Sequence, residues 1–99
     1  MNEKQLQDFT IKKANACGIL AYKMESKSCR GFPDLMLVGH LGRIFFIELK
    51  NPSGNGVLSN HQMKVLHDLT TRGCDTYVID STEEIEELLR SISGSDQYH

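Results

Sequence analysis

The chain has 99 residues, 39% hydrophobic and 24% charged, with 11 Lys/Arg against 13 Asp/Glu and a net charge of −2. A chain of that length buries roughly 65% of its unfolded surface, enough for one thin core and no second domain. No apolar run approaches the roughly 18 residues that would cross a membrane, and the basic start with an apolar core that directs secretion is missing. Cys17, Cys29 and Cys74 are odd in number, widely spaced and without a C-x-x-C unit, which argues against a disulfide framework or zinc finger and for a reducing, cytoplasmic setting. Cys17 and Cys74 are expected as small core residues. His40, His61, His67 and His99 also lack ligand spacing, since residues 61 and 67 fall on different faces of a helix.

In chain order, residues 3–17 carry Leu6, Phe9, Lys13, Ala14 and Cys17 at helical spacing and close at Gly18, a natural helix-ending residue. Residues 19–24 read as a strand and 25–30 as a polar loop. Two apolar runs, 35–38 and 44–47, flank Gly39-His40-Leu41-Gly42, whose glycines are expected to supply the positive φ of a hairpin connection. A turn-rich loop follows at 51–56. Ser59 then caps a helix bearing Met63, Leu66, Leu69 and Thr70 that ends at Gly73. Residues 74–80 form a strand, Ser81 to Glu84 a second capping box, and Ile85, Leu88, Leu89 and Ile92 the stripe of a last helix. The order αβββαβα predicts a single α/β domain over residues 1–93, with a flexible tail over 94–99. Its central sheet is mixed, because the strands on either side of the Ser59 helix are joined by a crossover and lie parallel, with helices on the faces.

The chemistry concentrates where the hairpin's ends meet. Alternate residues of a strand share a face about 6.5–7 Å apart, so Glu48 and Lys50 point the same way. Antiparallel pairing returns them to the start of the partner strand, where Asp34 stands at a spacing of about 4.8 Å, preceded by Pro33, which a strand's first position tolerates. A hard divalent cation, Mg²⁺ or Mn²⁺, prefers oxygen ligands and keeps several waters, so two carboxylates and a main-chain carbonyl can hold it. Such an ion activates water and draws charge from a phosphodiester transition state. Lys50 either steadies that charge or, with a depressed pKa, acts as a base. A Glu-x-Lys triplet arises by chance in about one chain in three of this size, and a sheet edge running out to solvent tolerates one. Its place at the end of a strongly apolar strand, beside Gly-x-Pro-Asp on the predicted neighbour, gives it weight.

Pro33-Asp34 followed by Glu48-Leu49-Lys50 resembles the signature of the PD-(D/E)xK nuclease superfamily, and the surroundings resemble its VRR-NUC branch, the virus-type replication-repair nucleases. That pattern has a helical Glu with Gln four residues on, Gly-x-Pro-Asp, Glu-x-Lys, a glycine-containing loop, and Ser-x-x-Gln opening a helix. Here these are Glu3 and Gln7, Gly31 to Asp34, Glu48 to Lys50, Gly54 and Gly56, and Ser59 to Gln62. The resemblance implies a restriction-endonuclease-like core in which Asp34 and Glu48, helped by the Leu49 carbonyl, bind the metal and Lys50 is the catalytic lysine. It further implies that Gln62 orients water or phosphate and that Glu3 supplies an outer or second-metal carboxylate. Two structural readings stand beside these: Ser59 to Gln62 is also a capping box, and Glu3 is also a first-turn acid favoured by the helix dipole.

Net charge understates the affinity for DNA, because its distribution matters more than its total. Residues 1–82 hold ten basic against eight acidic residues, whereas 83–99 hold one Arg against five acids. Lys27 and Arg30, in the loop beside Gly31, together with Gly31, Lys64 and Lys13, are the expected DNA contacts. Tyr22, Phe32 and Phe46 give no stacking array for base readout. The expected activity is therefore a metal-dependent DNA endonuclease that selects branched or Holliday-junction-like DNA by shape. The resemblance implies a homodimer and a phage or prophage product in bacterial cytoplasm. Competing classes are a catalytically silent nucleic-acid-binding module, a flap or single-strand nuclease, and a protein-interaction domain using the acidic final helix.

Overall fold

The first helix starts at a cap. Asn2 accepts a hydrogen bond from the Gln5 amide at 2.8 Å while the Gln5 side chain accepts from the Asn2 amide at 2.7 Å, a reciprocal box that satisfies two of the orphan donors of a helix start. The computed structural model describes residues 1–25, 28–54 and 56–94. In these, α1 (Glu3–Ala16), β1 (Leu20–Lys23), β2 (Leu35–Val38), β3 (Ile44–Leu49), α2 (Asn60–Thr71), β4 (Asp75–Ile79) and α3 (Thr82–Gly94) follow in the expected order. Helix α3 runs to Gly94, and the remainder of the expected tail lies outside the described residues. Among the described residues, no helix is long and apolar enough to cross a membrane.

The sheet has the order β1-β2-β3-β4, antiparallel from β1 to β3 and parallel between β3 and β4. Its register sorts the side chains. Leu35 opposite Ile47 and Leu37 opposite Phe45 point to one face with Leu49 and Ile79, and this face is buried with Leu6 and Ala14 of α1 and Ile85, Leu89 and Ile92 of α3. Thr10, on the same side of α1, is completely buried and donates its hydroxyl to the Leu6 carbonyl at 2.8 Å, so a polar residue joins the core without an unmet donor. Residues of the opposite parity, Leu20, Tyr22, Met36, Val38, Ile44, Phe46, Glu48, Thr76 and Val78, face the other way. Helix α2 lies on that side, fixed by the Thr70–Thr76 hydroxyl contact at 2.8 Å.

Several expectations change. The connection between β2 and β3 is a 3-10 turn, His40–Gly42, in which Leu41 and Gly42 take the positive φ (62° and 73°); Gly39 has φ −93°. A fully exposed leucine thus occupies a conformation that costs an L-residue about 1–2 kcal/mol. Cys17 is exposed and Cys74 only half-buried, because the chain at 17 has already turned outward to cap α1 and 74 begins an edge strand. Helix α2 has no buried residue at all, and Met63 of its expected stripe is 49% exposed. The reason is coverage: one helix of roughly 10 Å diameter spans about two strands at 4.8 Å spacing. It leaves Leu20 and Tyr22, on the far strand β1, 52% and 48% exposed.

Candidate active site

Four elements converge at the C-terminal end of β3. Pro33 is fully buried and brings Asp34 to the mouth of β2, where the Asp34 carbonyl accepts from the Met24 amide at 2.9 Å and its carboxylate reaches across to accept from the Leu49 amide at 2.7 Å. Glu48, on β3, is 1% exposed. Its Oε2 accepts from the Gln62 side-chain amide at 2.7 Å and lies 3.5 Å from the Lys50 ammonium. Lys50 in turn donates to Gln62 Oε1 at 2.9 Å, closing a three-membered ring of polar contacts. Gln62 Oε1 also accepts from the Ser59 amide at 2.9 Å, and Ser59 Oγ accepts from the Gln62 amide at 3.1 Å. The capping reading of Gln62 is realised, and the cap fixes the rotamer that presents the amide to Glu48 and Lys50.

Electrostatics set the two acids apart from ordinary carboxyls. Burial, and then the charge of Asp34, push the Glu48 carboxyl up to about 7, against the opposing pull of Lys50. Burial also raises Asp34, held back by the Leu49 amide and by Lys50. Glu48 Oε1 is buried and has no hydrogen-bond partner, so carboxylate charge is disfavoured there until a cation compensates it. The donor set thus suits a hard divalent ion, which needs only one or two carboxylates and retains water.

Glu3, at the first turn of α1, lines a cleft of about 210 Å³ with Lys4, Gln7, Asp34 and Leu49, and its charge is felt at Glu48. Among the described residues no three His, Cys, Asp or Glu side chains stand close enough to hold one ion, so Glu3 borders the Asp34–Glu48 pair without joining it. Gln7, four residues on from Glu3, lines the same cleft.

The expected DNA contacts scatter. Lys64 is exposed two residues beyond Gln62, about 200° around α2 from it, with its ammonium on Asp68 at 2.9 Å. Lys13 sits near the far end of α1 over the Phe9 ring at 5.7 Å; ten residues at 1.5 Å rise place it about 15 Å along the axis from Glu3. Arg30 is exposed in the loop before Gly31, while Lys27 lies outside the described residues. Gly31 has φ +86°, and a Cβ there would come within 2.5 Å of the His61 carbonyl carbon and 2.7 Å of the Gln62 nitrogen. Its visible role is to let the Asp34 loop touch the start of α2.

Two features escaped the sequence. One is the Leu49 amide, which holds the Asp34 carboxylate. The other is Gly56, where a Cβ would meet the Lys50 stem at 3.0 Å; the absent side chain lets the loop after β3 close over that lysine. The glycine was legible in its loop, but the contact with Lys50 depends on how the loop returns.

The chain is similar to known proteins over most of its length. The family model of the VRR-NUC domain matches residues 2–83, a span that contains Glu3, Asp34, Glu48, Lys50 and Gln62. A solved structure described as a VRR_NUC domain is similar to this chain at a TM-score of 0.79 and 25% identity, covering 98% of this chain and 97% of that one. No curated protein matches.

Proposed function

The chain belongs to the VRR-NUC domain family, and so to the PD-(D/E)xK nucleases; on that footing we propose that it is a divalent-metal-dependent DNA endonuclease acting on branched, junction-like DNA. The observation that carries the metal is the buried Glu48 Oε1 without a partner, beside Asp34. Asp34 and Glu48, with the Leu49 carbonyl and water, would hold Mg²⁺ or Mn²⁺, which when bound activates water and neutralises charge developing on a phosphodiester. The protein's own groups supply orientation. The Leu49 amide fixes the Asp34 carboxylate, Gln62 fixes Glu48, and the Lys50 ammonium, held by Gln62 and 12% exposed, presents positive charge to a scissile phosphate. Glu3 and Lys4, in the N-terminal turn of α1, border the cleft beside Asp34.

Shape selection is supported by Phe32 and Phe46, whose rings pack edge-on against each other at 5.6 Å instead of standing as an array for bases. A homodimer is supported by the uncovered half of the sheet, where Leu20 and Tyr22 lie open. The test is cleavage of four-way, flap, single-stranded and linear duplex DNA with Mg²⁺, Mn²⁺ or EDTA. Cutting should favour the branched substrates, stop in EDTA, and fall by about 10³-fold or more in Glu48→Ala and Lys50→Ala proteins. Undiminished cutting by either variant, or in EDTA, would exclude the mechanism; binding without cleavage would make the chain a silent module.

A further inference from the structure

The acidic last helix takes no part in the site, yet it borders a surface cleft of about 320 Å³ between β4 and α3, lined by Tyr77, Val78, Glu84, Glu87, Leu88 and Ser91. Strand β4 is an edge of the sheet, and nothing among the described residues pairs beyond it. The Lys50 amide donates to the Ile79 carbonyl at 2.9 Å, so in this parallel ladder Tyr77 and Ile79 direct their backbone groups at β3. Thr76 and Val78 therefore turn an N–H and a C=O each toward the open side. After the exposed Asp75 that opens it, the edge carries no blunting device: Thr-Tyr-Val-Ile has neither charge nor proline, and Tyr77 and Val78 are 39% and 45% exposed.

We propose that this edge and cleft accept an extended basic segment of another protein as a fifth strand, its backbone paired to Thr76 and Val78 and two cationic side chains seated on Glu84 and Glu87. Spacing and charge select that occupant. Residues three apart on a helix have Cβ atoms about 5–6 Å apart, and alternate residues of a strand are about 6.5–7 Å apart, so cations two positions apart in the segment match the two glutamates. Apolar residues between them face the opposite side of the added strand. A second copy pairing β4 to β4 would set Glu84 and Glu87 of both copies against each other across the seam, and nucleic acid would meet the same negative wall. Strand addition gives affinity through main-chain hydrogen bonds and selectivity through alternate side chains.

Fluorescence polarisation with a short labelled peptide alternating lysine and valine tests this, beside a peptide of the same composition with its lysines in one block and another with glutamate in place of lysine. The alternating peptide should bind, and both controls should bind about tenfold more weakly or worse, as should Glu87→Lys protein toward the alternating peptide. Val78→Pro removes one outward N–H at an edge that tolerates proline and should abolish binding, whereas Val78→Ala should keep it. Circular dichroism and thermal melting establish that each variant is folded. Equal binding of the block peptide, or of a folded Val78→Pro protein, would reduce the effect to charge attraction and overturn the proposal. Absence of binding would overturn it too, as would a change in the sedimentation of peptide-free protein on Val78→Pro, which would assign the edge to a second copy.

Discussion

Glu48 combines near-complete burial, a neighbouring acid and an oxygen without a partner, and each of these raises the free energy of its ionised form. The sign of the consequence follows from linkage. With a folded-state value of about 7 against the usual 4.5, native metal-free protein binds more protons than unfolded chain between those pH values. The Glu48 contribution is therefore fully present below about pH 4.5 and is lost as pH rises through 7, by something on the order of 3 kcal/mol at about 1.4 kcal/mol per unit. Urea denaturation of metal-free protein across pH 5–8, with Glu48→Gln as the comparison, measures it. The wild-type curve should fall with rising pH more steeply than the variant's, and parallel curves would mean that Glu48 does not titrate in this range. Glu48 and Lys50 were readable as a pair from strand parity alone. The orphaned oxygen was not, because it depends on where Gln62 arrives from another element.

At the scale of elements, the start of α2 is the joint of the site. Ser59 caps the helix, the cap aligns Gln62, and Gly31 lets the loop leading to Asp34 rest on the His61–Gln62 peptide. A methyl group at Gly31 faces a backbone it cannot move, and φ +86° is itself unfavourable for alanine. Gly31→Ala should therefore cost on the order of 3 kcal/mol and displace Gln62 from Glu48. Gly73, at the other end of α2, has φ +88° with nothing within 4 Å, so Gly73→Ala should cost only the backbone part, about 1 kcal/mol. Chemical denaturation of both checks the difference, and equal losses would refute a special contact at Gly31. Elements and their order were legible because each helix carries a stripe, two of the three a readable cap, and each strand an apolar run. The capping box at Asn2 was missed, although Asn at that position with Gln three residues on is its signal. The stripe on α2 was read as core because periodicity reports which face is apolar and not how much sheet lies beneath it. The role of Gly31 stayed hidden for a related reason: its partner is thirty positions away.

For the whole molecule, the two faces of the sheet are unequal. Two helices, α1 and α3, seal one side, while α2 alone covers β3 and β4 on the other and leaves the β1 and β2 half open at Leu20 and Tyr22. In a homodimer that half is the expected contact. Tyr22→Glu should then shift the sedimentation coefficient from dimer to monomer at micromolar concentration while leaving the circular dichroism spectrum unchanged. An unaltered coefficient would move the dimer contact elsewhere or remove it. Topology also orders events in time. Asp34, Glu48 and Lys50 all lie on the β2–β3 hairpin, whose pairing is local, whereas β4 reaches β3 only by matching Asp75 to Phe45 across the whole α2 crossover. Contacts near in sequence close before distant ones. The two carboxylates should therefore meet while the hairpin is still wet, and their repulsion should become costly only when the late-docking half of the chain expels water, so the acid pair acts as a brake on the last step of refolding.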